Sequence, residues 1–186
     1  MTKNNIIVAV VGLCGAGKSE ATQVFIDNKF EKVYFGDVTF DEMKKRDLPI
    51  TPDNERMIRE ELRATSDMAI YAKKSEPKIK DFYSQGKNVV VESLYSWSEY
   101  KYLKEIYKDN FKLLAIVTDR DLRAERLKTR PFRPLTDEQV TTRDYTEIEN
   151  IEKAGPIAIA DHFILNNTNM DSLKSKVQEY IDYLLG

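Results

Sequence analysis

Residues Gly12 to Ser19 read Gly-Leu-Cys-Gly-Ala-Gly-Lys-Ser, a complete G-x-x-x-x-G-K-S phosphate loop. The unbroken apolar run Ile-Ile-Val-Ala-Val-Val at 6–11 precedes it, and a helical pattern at 18–28 follows it. A short run of this kind suits a parallel strand covered on both faces. Strand, glycine loop and helix in that order commit the start of the chain to a β-loop-α unit with an anion site at the helix N-terminus. Lys18 is placed to reach the β and γ phosphates of a nucleotide, and the Ser19 hydroxyl to bind a magnesium ion. Cys14 stands alone, with no second cysteine and a single histidine, His162, in the chain. It reads as a small loop residue, and His162 as structural.

Four further apolar runs, at 32–35, 88–91, 111–117 and 162–165, are separated by helical sequence. Strands of the buried type alternating with helices predict an α/β fold, a three-layer sandwich around a parallel sheet of about five strands. Polar groups follow each run: the phosphate loop, Gly36-Asp37, Glu92-Ser93, Thr118-Asp119 and Asn166-Asn167. In open α/β sheets ligands sit beyond the carboxyl ends of the strands, so these groups are expected to face one crevice.

The helix ends are legible too. Thr51 and Pro52 predict a helix start, with the helix running to about residue 73, and Ser75 and Pro77 predict another that Gly86 closes. Asp37 is a candidate cap for 38–46, Asp119 for a helix to about 130, Thr136 or Asp137 for the next, and Asp171 or Ser172 for the last. Thr-Arg-Pro-Phe-Arg-Pro-Leu-Thr at 129–136 is a proline-pinned loop carrying arginines.

Composition narrows the partners. A net charge of −2 over 186 residues supplies no field that would draw the chain to nucleic acid or an acidic membrane. The N-terminal apolar run is too short for a signal sequence or a membrane span, and one cysteine fits a reducing compartment. The expectation is a cytoplasmic protein, monomer or homodimer, with one domain over 1–186, a helical acceptor-binding region at about 37–85 and a lid at about 130–137.

Phosphoryl transfer needs cations around the transferred group, and the sequence offers two sets. Arg126, Arg130 and Arg133, with Arg143 beyond them, suit a closing lid. Arg56, Arg59 and Arg63 share one helical stripe beside Glu55, Glu60 and Glu61. Asp37 and Glu92 end strands where an acid can accept a proton, orient an acceptor or touch the metal shell. Trp97 and the surrounding tyrosines read as helix packing, with Tyr95 or Trp97 also near enough to Glu92 to stack on a base.

The phosphate loop, Gly36-Asp37, Glu92, the Glu-Arg-Leu-Lys-Thr-Arg segment at 125–130 and the Ala-Asp-His-Phe-Ile-Leu-Asn-Asn segment at 160–167 together resemble the nucleoside monophosphate kinase group of P-loop proteins. Within that group they look like adenylate-kinase-like and dephospho-coenzyme A kinase-like families, including short archaeal and bacterial nucleotide kinases. The stretch at 43–56 adds to that likeness. The resemblance implies ATP and Mg²⁺ as cofactors, with Gly12, Gly15, Ala16, Gly17, Lys18, Ser19 and Glu20 around the donor phosphates. It implies that Arg126 stacks on the donor adenine and that Arg130 reaches its phosphates; Arg133 is expected to close with them over the transferred group at the donor. Asp37, Arg59, Arg63 and Glu92 would hold the acceptor, and Lys18, Asp37, Glu92 and Arg130 would serve catalysis.

Many members of the group carry aspartate where this chain has Glu92, and Phe35-Gly36-Asp37 differs from the segment usual in dephospho-coenzyme A kinases. The expected acceptor is therefore a nucleoside or deoxynucleoside monophosphate, with dephospho-coenzyme A as the alternative. A nucleotide-dependent regulatory ATPase is the rival of another class, although the Asn-Lys-x-Asp base-reading element of guanine-nucleotide switches is absent from the sequence.

Overall fold

β1 (Ile7–Val11) carries only aliphatic side chains, and all five are buried. Such a strand is stable only with a neighbour on each side and a layer on each face. The computed structural model, which describes residues 5–65 and 68–186, supplies all four. β1 pairs in parallel with β3 (Val89–Glu92) on one side and β4 (Phe111–Val117) on the other. β2 (Glu31–Tyr34) and β5 (His162–Leu165) close the two edges, giving the parallel order β2-β3-β1-β4-β5.

The period of two along β1 separates two cores. Val8 and Val10 face α1 (Lys18–Asp27) and α9 (Met170–Leu185), meeting Ala21, Phe25, Val177 and Ile181. Phe25 is fully buried in edge-to-face contact with Phe30, ring centroids 5.0 Å apart. Truncating such a ring to alanine costs about 3–5 kcal/mol. Ile7, Ala9 and Val11 face the opposite layer. That layer contains α3 (Pro52–Thr65), α4 (Ile70–Ser84) and α5 (Trp97–Tyr107), through Ile58, Leu62, Ala72, Ile79 and Leu103. The expected three-layer α/β sandwich with five parallel strands is therefore the fold.

α2 (Asp37–Lys45) follows β2, α6 (Arg120–Thr129) follows β4, and α7 (Asp137–Glu149) and the short α8 (Ala154–Ala158) precede β5. Thr51 caps α3 through Asn54 N–H (3.3 Å), and Thr136 forms a capping box with Gln139 at the start of α7, both as expected. Between them stands a correction. The helix expected to reach residue 73 ends at Thr65, and α4 already begins at Ile70 and passes straight through Pro77. Tyr71, Ala72, Ser75 and Ile79 put a buried face on α4 that outweighs one missing hydrogen bond at the proline.

Other caps also move. Gly36 is the N-cap of α2 and Asp37 its first residue. Asp119 occupies the N-cap of α6 with no side-chain cap bond. Asn169 caps α9 by accepting from Ser172 N–H at 2.9 Å, so Asp171 and Ser172 lie within its first turn. No helix among the described residues is long and apolar enough to cross a membrane.

Candidate active site

The phosphate loop leaves the centre of the sheet and is braced from three distant segments. Thr118 Oγ1 (3.1 Å) and Asn166 Nδ2 (2.8 Å) both donate to the Ala16 carbonyl, and Arg123 donates to the Cys14 carbonyl (3.1 Å). With its carbonyls drawn outward, the loop can turn N–H groups toward an anion. Gly17 sits in left-handed backbone as the N-cap of α1, and a Cβ there would overlap Asn166 Nδ2. Gly15, at φ +83, would press a Cβ to 3.0 Å from the Leu127 side chain and 3.1 Å from the Arg123 carbonyl. Only glycine fits either place without displacing a brace.

Lys18 Nζ donates to the Leu13 carbonyl at 2.9 Å, folded back across the loop. Burial, with the charge of Lys153 beside it, lowers its pKa to about 7. The ammonium is thus poorly solvated and well placed to gain from a phosphate. Ser19 Oγ donates to Glu92 Oε1 at 3.1 Å, and the other Glu92 oxygen pairs with Lys32. A hydroxyl and a strand-end carboxylate within one hydrogen bond are the donor chemistry of a magnesium shell. Among the described residues no group of three acidic, histidine or cysteine side chains could hold a metal by itself. That suits Mg²⁺, which keeps phosphate and water ligands and takes only one or two from protein. Glu20 follows, exposed in the first turn of α1.

Next to the loop opens a cavity of about 690 Å³. Four arginines line it: Arg59 and Arg63 from α3, Arg133 from the 130–136 loop, and Arg143 from α7. Tyr34, Phe40, Tyr71 and Tyr95 supply aromatic wall. Arg63 lies over the Tyr71 ring at 4.9 Å, and its buried Nε has no hydrogen-bond partner among the described residues. Arg59 bonds Glu55 at 3.3 Å, and Arg133 lies 3.8 Å from the same carboxylate. Ser93 and Arg133 both hold positive φ, +69 and +50, and both border the cavity. Non-glycine residues in that region cost about 1–3 kcal/mol each and tend to cluster where function requires them.

The structure therefore joins some of the expected residues and separates others. Lys18, Ser19 and Glu92 meet at the loop, while Arg59, Arg63 and Arg133 share the cavity. Arg56 pairs loosely with Asp53 on the exposed side of α3. Asp37, half exposed, lies 3.6 Å from Lys78 and does not border the cavity, although its neighbours Gly36 and Thr39 do. Arg126 donates to the Asn166 carbonyl at 3.0 Å, on the β5 side of the loop, and Arg130 donates to the Arg133 carbonyl at 2.7 Å. The three lid arginines do not converge on one point here. His162 stacks on Tyr180 (4.4 Å) and Trp97 on Tyr100 (5.1 Å), so both serve packing.

One group of residues was not foreseen. Arg123 and Asp144 form a bidentate, buried ion pair at 2.9 and 2.8 Å that ties α7 to α6. One turn along, Glu147 accepts from Cys14 N–H (3.2 Å), Lys153 (2.8 Å) and Arg143 (3.3 Å). Burial tends to raise the Glu147 pKa, but the charges of Lys153 and Arg143 hold it below the ordinary carboxylate value. The only sequence signal was the i, i+4 spacing of Arg143 and Glu147, which any exposed helix can show.

A central parallel strand, a braced G-x-x-x-x-G-K-S loop and a cation-lined cavity at the carboxyl edge define a P-loop domain of the nucleotide-kinase type. More narrowly, the chain belongs to the AAA domain family, whose model matches residues 8–152. It is 28% identical over 183 residues to UPF0200 protein TK1334 of Thermococcus kodakarensis, covering 97% of this chain and 98% of that one. The UPF0200/UPF0201 protein of Archaeoglobus fulgidus is 27% identical, over 94% of this chain and 54% of its own length. Among solved structures, shikimate kinase from Acinetobacter baumannii in complex with shikimate superposes with a TM-score of 0.63 at 14% identity, covering 98% and 94% of the two chains. A gluconokinase from Sinorhizobium meliloti 1021 gives a TM-score of 0.57 at 14% identity over 100% and 95%. These likenesses establish the fold, which is the P-loop kinase fold that the resemblance in sequence implied.

Proposed function

We propose that the protein is an ATP- and Mg²⁺-dependent kinase that moves the γ-phosphoryl group to a small phosphorylated acceptor, a nucleoside or deoxynucleoside monophosphate. The observation that carries this reading is the cavity beside the phosphate loop, where four arginines and five aromatic residues line one space. Arginine forks match phosphate oxygens, and aromatic faces match a base. Arg63, with a donor left over, is the first candidate for the acceptor phosphate.

Lys18 and the loop amides would hold the donor phosphates. Ser19, with Glu92 bonded to it, would hold a magnesium ion, whose chemistry is to neutralise phosphate charge. The acceptor phosphate oxygen attacks the γ phosphorus in line as the bond to the β–γ bridging oxygen breaks. The ADP oxygen takes up the displaced charge. In this reading α2 to α4 form the acceptor side, and residues 130–137, pinned between α6 and α7, form a lid that brings Arg130 and Arg133 inward.

The test is a coupled ATP-to-ADP assay in magnesium across ribo- and deoxyribonucleoside monophosphates, dephospho-coenzyme A, shikimate and gluconate. One monophosphate should accelerate turnover at least a hundredfold over the rest. Acceleration by dephospho-coenzyme A or by an unphosphorylated alcohol would replace the acceptor. Slow hydrolysis indifferent to every compound would replace the kinase by a nucleotide-driven regulatory ATPase.

A further inference from the structure

Glu147 is a buried carboxylate with no place in the roles above, and it sits on the phosphate loop itself. Its Oε2 accepts from two donors at once, the Cys14 backbone N–H at 3.2 Å and Lys153 Nζ at 2.8 Å. Its Oε1 accepts from Arg143 Nε at 3.3 Å. Lys153 is itself 2% exposed, with its ammonium 4.3 Å from the centre of the Tyr95 ring. Two oxygens, one loop amide, one lysine and one arginine make an oxyanion site that the protein fills with its own side chain.

The position of this site is informative. Gly15 to Lys18 lead into the N-terminus of α1, where the inner phosphates of a nucleotide are held. Cys14 lies three residues before Gly17, the N-cap of that helix, and Glu147, which accepts from Cys14 N–H, borders the arginine cavity together with Arg143. An anion at this point touches both the loop and the cavity, which in the kinase reading are the donor and acceptor sides.

Resting on the kinase reading above, we infer that Glu147 occupies the place of the transferred γ-phosphoryl group and that Lys153, with Arg143, is a second cation of phosphoryl transfer. A triphosphate displaces the carboxylate from Cys14 N–H, and two γ oxygens inherit the three donors. Burying Lys153 without a counter-ion would be costly, so the empty protein keeps its own anion on the cation. A diphosphate does not extend to the site and leaves Glu147 where it is. Discrimination between triphosphate and diphosphate is the expected consequence.

The experiment is equilibrium titration of the full chain, in magnesium, with ADP and with the β,γ-imido analogue of ATP. Glu147→Gln removes the competing charge and should tighten the analogue about tenfold, the scale of one charge-assisted hydrogen bond, while ADP stays within about twofold. Lys153→Met should weaken the analogue about tenfold with ADP again little changed, and Lys153→Arg should restore most of the difference. Equal shifts for both nucleotides, or none for either, would overturn the inference and leave the kinase reading standing. A wild-type chain that binds neither nucleotide would remove the kinase reading instead. If Lys153→Met does not fold, Glu147→Gln and Lys153→Arg decide the matter by the same ratio.

Discussion

In the proposed kinase, the donor and acceptor sides of the site are built by opposite means. On the donor side, eight consecutive residues carry the motif, the loop carbonyls at 14 and 16 are held by named donors, and two glycines have no room for a side chain. On the acceptor side, the cavity wall comes from β2, α2, α3, α4, the β3 end, the 130–136 loop and α7, and one buried guanidinium nitrogen has no hydrogen-bond partner among the described residues. A satisfied, braced loop is a part that serves any nucleotide, whereas an under-satisfied cavity is tuned to what must still arrive. In that reading the first side would fix the chemistry and the second the substrate.

The contrast can be broken at its strongest point. Lys18→Ala should lower kcat/KM by at least about 10³-fold, because it removes a cation from the transferring phosphates, while thermal stability holds. An active Lys18→Ala protein would deprive the loop of its catalytic part. Next in size, Asp144→Ala leaves Arg123 charged and buried, a loss of about 3–5 kcal/mol, and should lower the melting temperature by on the order of 10 °C. A variant that melts with the wild type would show that α7 needs no anchor beneath the loop.

Arg63→Met tests the other side. It should raise the KM for the acceptor by about ten- to a hundredfold with nucleotide affinity unchanged, the cost of one charge-assisted contact. An equal loss of nucleotide affinity would mean that the two sides are one site.

The smallest effect is one of pH. Since burial lowers the Lys18 pKa to about 7, the free protein loses that proton above pH 7 and would have to regain it to bind phosphate. Nucleotide affinity should fall by up to about tenfold per pH unit above 7, with proton uptake visible by calorimetry in two buffers. For folding the sign is opposite. Between about pH 7 and 10.5 the unfolded chain holds a proton on Lys18 that the folded chain lacks, so this group makes stability rise with pH.

What the sequence disclosed follows the same division. Strand positions, the loop and its helix were legible because they are local: a buried parallel strand shows as an apolar run, and a phosphate loop as a spacing. Pro77 misled because the packing of Tyr71, Ala72 and Ile79 that carries α4 through it is a tertiary fact. Arg59 and Arg63 could be placed on a common stripe, yet nothing local distinguished them from Arg56, which the fold turns outward. Glu147 was invisible because its partners Cys14 and Lys153 lie 133 residues before it and 6 after it. Its meaning exists only where α7 returns to the loop.

The brace from Asn166 to the Ala16 carbonyl spans 150 residues, and Gly17 is shaped around that same side chain. On a ribosome, the motif emerges 150 residues ahead of this support. Until Asn166 follows, the growing chain carries the lettering of a phosphate loop without that brace behind it. The brace arrives only with the segment after β5, so a phosphate has little to hold until the sheet is in place.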